Sequence, residues 1–190
     1  MDLVESIRAF EPFNEQEAAD KQVILHALET VPNVFDRSAQ AHMACSIWAV
    51  DPTFSQTIMV FHNIYNSWSW IGGHADGQRD LAAVALRELE EETGVAGARL
   101  LNDGAVFSVE VLTVDGHEKR GSYVSSHLHL NVTYIAMADL AEPLRVAPDE
   151  NSGVKWVPLE QVCPLSTEPW IRDRIYKKLL AKTEIMKNGK

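Results

Sequence analysis

A glycine-rich loop runs directly into a helical segment that carries clustered glutamates, and this arrangement constrains the fold of the 190-residue chain most strongly. The segment reads GGHADGQRDLAAVALRELEEETGV over residues 72–95. On a helical wheel of about 100° per residue, Glu88 and Glu92 are neighbours inside a broad apolar arc. Two carboxylates on a largely apolar face are costly unless a cation compensates them. The spacing therefore predicts a divalent-metal site beside the glycines.

The glycines strengthen this prediction, because a run of glutamates alone is more typical of a solvated helix face. Gly72 and Gly73 allow the backbone to approach a ligand closely, and Gly77 permits a tight turn before the helix. Magnesium takes oxygen ligands and is often held by one or two carboxylates together with substrate phosphates. Arg87 and Glu91 are also four residues apart, so they could form an ion pair that orients a carboxylate. Loop and helix together would bind one metal–phosphate unit.

The same residues fit a longer pattern, Gly-x5-Glu-x7-Arg-Glu-aliphatic-x-Glu-Glu-x-Gly-aliphatic. Eight of its nine defined positions are matched, by Gly73, Arg87, Glu88, Leu89, Glu91, Glu92, Gly94 and Val95. This pattern is the Nudix box, which the segment resembles. One position departs, because Arg79 stands where the family has its first glutamate. Asp80, beside it, is expected to cap the helix instead.

The resemblance implies a hydrolase that depends on Mg²⁺, with Mn²⁺ as an alternative, and that cleaves a diphosphate linkage in a nucleoside diphosphate derivative or related compound. Glu88 and Glu92 would bind the metal, and the Gly72 carbonyl would complete its coordination shell. Glu91 would be a further ligand or the base that activates water, and Arg87 would orient it. Metal ions would polarise the phosphoryl oxygens and lower the pKa of the attacking water.

Four residues beyond the helical segment are further site candidates. His127 and His129 alternate with apolar residues, so they lie on the polar face of a strand that lines a cavity or faces solvent. In a cavity they would contact substrate phosphate or assist metal binding, and His74, after the glycine pair, could touch phosphate. Glu150, in the loop PDENSG, is a second candidate base, because many Nudix proteins place an extra catalytic carboxylate on a late loop.

An aromatic segment precedes the glycines and bears on substrate recognition. Tyr65, Trp68 and Trp70 would either stack on a ring of the substrate or pack in the core. Selectivity lies in such loops and not in the box. ADP-ribose, dinucleotides and modified nucleoside triphosphates therefore all stay open as substrates.

The order of periodic segments is helix, strands, helix, strands, helix. Without regular strand–helix alternation, it favours a mixed α/β (α+β) fold, a Nudix-like mixed sheet sandwiched between helices, over a doubly wound parallel fold. Residues 1–40 are predicted to be a helical extension packed on the core, with Asn14 and Glu17 at capping-box spacing. Residues 41–190 would form a single Nudix hydrolase domain. Strands are expected at 42–50, 57–62, 105–114, 127–138 and 154–158, and a helix at 80–93. Pro164 and Ser166 or Thr167 are expected to lead into a final helix that runs to about Met186.

Composition and charge narrow the classes of partner. The net charge is −10, which argues against nucleic-acid polymers and anionic membranes but not against a small anionic substrate bound through a cation. No apolar run approaches the about 18 residues of a membrane span, and the first residues lack the pattern of a signal peptide. A cytoplasmic location is the expectation, with Cys45 and Cys163 as reduced thiols.

Two alternatives stay open beside the hydrolase. Isopentenyl diphosphate isomerase shares the fold, but it requires a cysteine near the glycine loop, and Cys45 lies well before that loop in the sequence. A non-catalytic module that senses a nucleotide is the other, and Arg79 is its only support, since Glu88 and Glu92 are both present. The resemblance also allows a homodimer, for which no residue gives a separate indication.

Overall fold

Helices lie at both ends of the chain and one lies between the strands, as the sequence predicts. The computed structural model describes residues 2–64, 66–119 and 121–189, apart from the side chain of Lys119. Its helices are α1 (Leu3–Ala9), α2 (Glu15–Thr30), α3 (Leu81–Thr93), α4 (Leu159–Leu165) and α5 (Lys177–Asn188), with a π-helical turn at Ile171–Tyr176 and a 3₁₀ turn at Asn102–Gly104. Its strands are β1 (Ala41–Val50), β2 (Gln56–His62), β3 (Ser67–Ser69), β4 (Ile71–His74), β5 (Arg99–Leu100), β6 (Ser108–Val114), β7 (His117–Lys119), β8 (Ser122–Val124), β9 (His127–Met137) and β10 (Asn151–Pro158).

One mixed sheet organises the molecule, and this confirms the predicted fold class. Its strands run in the order β10-β2-β1-β9-β5, while β3, β4 and β6 pair with β2, β1 and β9. The central pair β1 and β9 is parallel over the whole of β1, from Ala41 opposite Leu128 to Val50 opposite Met137. The other pairs of this sheet are antiparallel.

Alternation along β1 divides the core between the two faces of the sheet. Cys45 and Ile47 face a cluster that includes Leu89 of α3 and residues of α2. Trp48 faces the opposite cluster, which includes Leu179 of α5. Each fully buried aliphatic side chain contributes about 1.5–3 kcal/mol, so both helical layers are held on the sheet by packing.

The predicted helix boundaries follow from local capping. The Asn14 side chain accepts a hydrogen bond of 3.0 Å from the Glu17 N–H and so begins α2. Asp80 accepts one of 3.1 Å from the Ala83 N–H, which confirms its expected role as the cap of α3. Gly94 ends α3 with a φ of 81°. Glycine adopts this left-handed conformation without steric strain because it has no Cβ.

The expected final helix is confirmed, because the chain is helical from Pro169 to Asn188, directly after Ser166 and Thr167. Its first part is irregular, with the π-helical turn at Ile171–Tyr176 before α5, and Pro164 lies in the last turn of the separate helix α4. Pro169 disfavours helical backbone at Glu168, so a helix cannot run smoothly through this point. Trp170, expected on the apolar stripe, is 48% exposed, whereas Ile175 and Leu179 are buried as predicted.

Two other segments also differ from the sequence prediction. The loop expected between β6 and β9 carries a two-stranded hairpin of β7 and β8. Strand β10 begins at Asn151 and not at Val154, because Asn151 pairs with His62 and is fully buried. Both cysteines are free, as expected. In the described part of the chain, no helix combines the length and apolar character that a membrane span requires.

Candidate active site

Three carboxylates converge where α3 meets the loop before β10. One oxygen from each of Glu88, Glu92 and Glu150 lies within 4.8 Å of the others. Glu92 is only 3% exposed and the Glu88 side chain 13%, as the apolar arc of the helix predicts. Glu150 is exposed, and its loop is held near α3 by the Asn151 side chain, which donates to the Glu92 carbonyl at 3.0 Å.

Burial makes this carboxylate cluster unfavourable in its ionised form. It raises the pKa of Glu92 to about 8, with a further contribution from the charge of Glu150, although the Gly72 N–H donates to Glu92 at 3.3 Å. Burial also raises the pKa of Glu88, against the opposing effect of Arg87. A hard divalent cation would relieve this repulsion with the oxygen ligands it prefers. The residues present therefore fit the magnesium site that the sequence predicts.

Gly72 and Gly73 are required for space. A Cβ at Gly73 would collide with the carboxyl group of Glu88, and one at Gly72 would lie 2.7 Å from the Cys45 carbonyl oxygen. Strand β4 can therefore lie between β1 and α3 only because it has no side chains at these two positions. This close approach brings the backbone of β4 against the carboxylates.

We expect Gly73→Ala to lower kcat at least about tenfold, because the new methyl group would displace Glu88, and misplacement by about 1 Å can cost 10²-fold. Steady-state kinetics with a Mg²⁺ titration would measure the change. Gly189→Ala is the control, since the helix end at Gly189 has a φ of −88°. Wild-type kinetics for Gly73→Ala would show that Glu88 need not occupy its observed position.

Arg87 contacts both glutamates that its spacing allows. Its Nη2 lies 3.0 Å from Glu88 Oε1, and its Nε lies 3.5 Å from Glu91 Oε1. The predicted ion pair with Glu91 is present, but the shorter contact goes to Glu88. The Glu91 side chain is 61% exposed and lies outside the three converging carboxylates. The structure therefore places Arg87 to hold Glu88 at least as firmly as Glu91.

A cavity of about 450 Å³ is lined in part by the glycine pair. Gly72 and Gly73 line this cavity and also contact Glu92 and Glu88, respectively. The candidate substrate-binding residues from the sequence all line it, namely Trp70, His74, His127 and His129. The two glycines therefore adjoin both the carboxylates and a pocket of the size that small ligands occupy.

Comparison with known proteins agrees with this geometry. The sequence profile of the NUDIX domain matches residues 44–179, which is more than half of the chain. The chain belongs to the Nudix family. The match includes the three converging glutamates and the whole Nudix box.

Three solved structures share the fold over most of this chain. A C. elegans Ap4A hydrolase is similar at 18% identity with a TM-score of 0.55, over 78% of this chain and 98% of that chain. A NUDIX-family hydrolase from Clostridium perfringens is similar at 16% identity with a TM-score of 0.52, over 76% of this chain and 97% of that chain. The E. coli dihydroneopterin triphosphate pyrophosphohydrolase is similar at 11% identity with a TM-score of 0.55, over 78% of this chain and 98% of that chain. Comparison with curated protein sequences gives no match.

Four histidines meet in the cavity wall of this Nudix protein. His74, His127 and His129 come together with His42, which sequence analysis did not single out. The register explains the meeting, because His42 lies opposite His129 in the parallel pair and His74 lies opposite Ala44 on β1. Burial lowers the pKa of His129 to about 2, so its imidazole is neutral at physiological pH. The polar face of β9 is thus a cavity lining and not a solvated face.

The aromatic candidates have different surroundings. Trp70 lines the cavity and packs edge-on against Tyr176, with ring centroids 5.5 Å apart. Trp68 packs edge-on against Phe61 and lies beneath the Lys155 ammonium group, 4.0 Å from its ring centroid. Tyr65 lies outside the described residues. Trp70 is therefore the tryptophan of this segment placed to contact a substrate ring.

Arg79, the departure from the Nudix box, lies on the exposed surface before α3. Its guanidinium group stacks over the Phe35 ring at 4.8 Å from the centroid. A cation–π contact of this kind stabilises an exposed arginine by about 0.5–1 kcal/mol. The residue thus has a packing partner of its own, while Arg87 supplies the cation beside Glu88.

Cys45 is closer to the glycine loop than its sequence position suggests. In the pairing of β1 with β4 it lies directly opposite Gly73. The argument against an isomerase relied on the separation of Cys45 from the glycine loop along the sequence. This argument is wrong, because the fold brings the two together. Burial raises the pKa of the Cys45 thiol to about 12, so this side chain is a protonated thiol at physiological pH.

Proposed function

We propose that this Nudix hydrolase uses Mg²⁺, or Mn²⁺, to cleave a diphosphate linkage in a nucleoside diphosphate derivative or a related small molecule. The convergence of Glu88, Glu92 and Glu150 beside Gly73 carries the proposal. The names of two similar structures, an Ap4A hydrolase and a dihydroneopterin triphosphate pyrophosphohydrolase, support this reaction class. A cytoplasmic location and a homodimer stay predictions from the sequence.

In the proposed site, Glu88 and Glu92 would hold the metal together with the Gly72 carbonyl. When bound, the metal polarises a phosphoryl oxygen and acidifies a coordinated water. Arg87 fixes Glu88 through a contact of 3.0 Å, and the Gly72 N–H fixes Glu92. These contacts hold both carboxylates in place before substrate arrives, which avoids reorganisation during the reaction.

Glu150 is the stronger candidate for the general base. It is exposed, converges with the two buried glutamates and sits on a separate loop, so it could accept a proton from water without leaving the metal site. Glu91, the other candidate, faces solvent and pairs with Arg87. The attacking water would lose its proton to this base while its oxygen bonds to phosphorus and the bridging P–O bond breaks.

Substitution at the two positions separates these roles. We expect Glu150→Gln to lower kcat by about 10²–10⁴-fold, the usual contribution of a general base, and to flatten the acid limb of the pH–rate profile. Glu91→Gln would have the smaller effect. If Glu91→Gln alone removes the acid limb, then Glu91 is the base and Glu150 has another role.

A panel of diphosphate compounds with Mg²⁺ or Mn²⁺ tests the function itself. We expect metal-dependent release of a phosphate-containing product from at least one nucleoside diphosphate derivative, with ¹⁸O from labelled water in that product. EDTA should abolish the reaction. Isopentenyl diphosphate belongs in the panel, and its conversion without incorporation of ¹⁸O would favour the isomerase. Binding of a nucleotide without turnover of any compound would favour the sensing module.

A further inference from the structure

The four histidines of the cavity wall form a compact group of nitrogen atoms. One ring nitrogen from each of His42, His74, His127 and His129 lies within 4.8 Å of the others. His129 Nε2 is 3.1 Å from both His74 Nε2 and His127 Nε2. The rings come from three strands, β1, β4 and β9, so the group depends on the fold and not on one local motif.

His42 has a buried nitrogen that no other described residue satisfies. The residue is 3% exposed, and within residues 2–64, 66–119 and 121–189 its Nε2 has no hydrogen-bond partner. Its other nitrogen, Nδ1, lies 2.8 Å from the Ala39 carbonyl oxygen. A carbonyl only accepts, so Nδ1 carries the proton and Nε2 presents a lone pair. Buried polar atoms are nearly always partnered, so this one calls for a ligand.

His127 is held in the same tautomer. Its Nδ1 lies 2.8 Å from the Ser125 carbonyl oxygen, which leaves a lone pair on its Nε2. A neutral His129 has one ring proton. That proton cannot satisfy the lone pairs of both His42 Nε2 and His127 Nε2. An anionic phosphate would meet lone pairs and not N–H donors. A cation satisfies the lone pairs together, and a backbone carbonyl behind the ring is the usual orienting partner of a metal-binding histidine.

We propose that His42, His74, His127 and His129 form a second metal site, distinct from the carboxylate cluster, and that it binds Zn²⁺. Imidazole nitrogen suits zinc, whereas magnesium prefers oxygen. Zinc–nitrogen bonds of about 2.0–2.1 Å place tetrahedral ligands roughly 3.3 Å apart. The observed 3.1 Å separations are close to this spacing. Closure of the group around one ion would shorten the wider separations, none of which exceeds 4.8 Å.

A cation here would join three strands at the wall of the cavity. His74 directly follows Gly72 and Gly73 in β4, so the ion would tie the glycine strand to β1 and β9. It would also place positive charge beside a pocket in a protein whose net charge is −10. The site would thus stabilise the fold locally and favour an anionic substrate in the cavity.

Calorimetric titration of tag-free, metal-depleted protein with Zn²⁺, in excess Mg²⁺ to occupy the carboxylates, tests the proposal. We expect one tight site per chain and a rise in Tm on binding. X-ray absorption of the zinc protein should show nitrogen ligands at about 2.0–2.1 Å. Absence of tight Zn²⁺ binding, or a zinc coordination shell dominated by oxygen, would overturn the proposal. Both measurements use the wild-type protein, so they do not depend on how well any variant folds.

Matched variants locate the ion. Changing an orienting partner alone typically weakens metal binding 10–100-fold, so His42→Ala and His129→Ala should each weaken Zn²⁺ binding at least about 100-fold. His26→Ala removes an exposed histidine of α2 and should bind like the wild type. Glu92→Gln should also retain the zinc. Loss of zinc in Glu92→Gln with retention in His42→Ala would place the ion at the carboxylates and contradict the proposal.

Discussion

Glu92→Gln is expected to lower kcat on the order of 10³-fold, the scale at which loss of one preorganised electrostatic contact or metal ligand acts on a reaction. Glutamine keeps the size of the side chain and its hydrogen bond with the Gly72 N–H, so the change removes mainly the charge. Glu92 is the most buried of the three converging carboxylates. Steady-state kinetics with the substrate found in the panel, across a Mg²⁺ titration, gives kcat and the apparent metal affinity.

Glu90→Gln is the matched control for this experiment. It makes the same chemical change on the same helix, but Glu90 faces solvent. Its kcat should stay within about twofold of the wild type, because exposed charges act weakly through water. Equal effects of the two substitutions would mean that loss of negative charge in general is responsible. If Glu92→Gln has the kinetics of the wild type, then the carboxylate cluster takes no part in catalysis.

The raised pKa of Glu92 adds a test on the metal-free protein. Its pKa is about 8 in the folded chain, against a usual value of 4.5, so the folded chain holds more protons than the unfolded chain between these values. Stability in EDTA should therefore fall as the pH rises from about 4.5 to 8. Glu92→Gln removes this cost, so in EDTA its Tm should exceed that of the wild type above pH 8. Added Mg²⁺ should raise the Tm of the wild type only.

The pairing of Glu88 with Glu92 could be predicted from the sequence because its geometry is local. Helical spacing alone places Glu88 beside Glu92 and turns both toward the core. The contribution of His42 was not readable, because it depends on the parallel pairing of β1 with β9. A shift of one residue in that register would turn His42 to the other face of the sheet. Local pattern does not specify such a register between distant strands.

The same distinction explains which elements were predicted. Caps such as Asn14 and Asp80 are set by a few neighbouring residues, and both helices begin where the sequence indicates. The C-terminal helix was predicted because its apolar stripe is also local, but the π-helical turn at Ile171–Tyr176 within it was not predicted. Strand β10 was predicted too short because the polar Asn151 is buried by a partner on α3, the Glu92 carbonyl.

Lys178→Met is expected to lower the free energy of unfolding by about 3–5 kcal/mol, the usual cost of breaking a buried ion pair by removing one partner. Lys178 Nζ lies 3.0 Å from Glu110 Oε1 and 3.4 Å from Glu17 Oε1, and all three side chains are buried. Glu17 keeps Lys182 at 3.0 Å, so the uncompensated charge falls mainly on Glu110. Chemical denaturation measures the loss.

Lys177→Met separates this effect from the loss of a lysine in general. Lys177 is the next residue along the chain, but its side chain is 62% exposed and pairs with Asp173 at the surface. Its removal should change stability far less, because exposed ion pairs are weakly stabilising.

If Glu110 is the group left uncompensated, Glu110→Gln should restore much of the stability that Lys178→Met removes. Equal losses for the two lysines, or no rescue by Glu110→Gln, would contradict this account. The ion pair joins α2 and β6 to α5 through Glu17, Glu110 and Lys178, so such a result would also mean that the other contacts between these three elements are sufficient to hold them together.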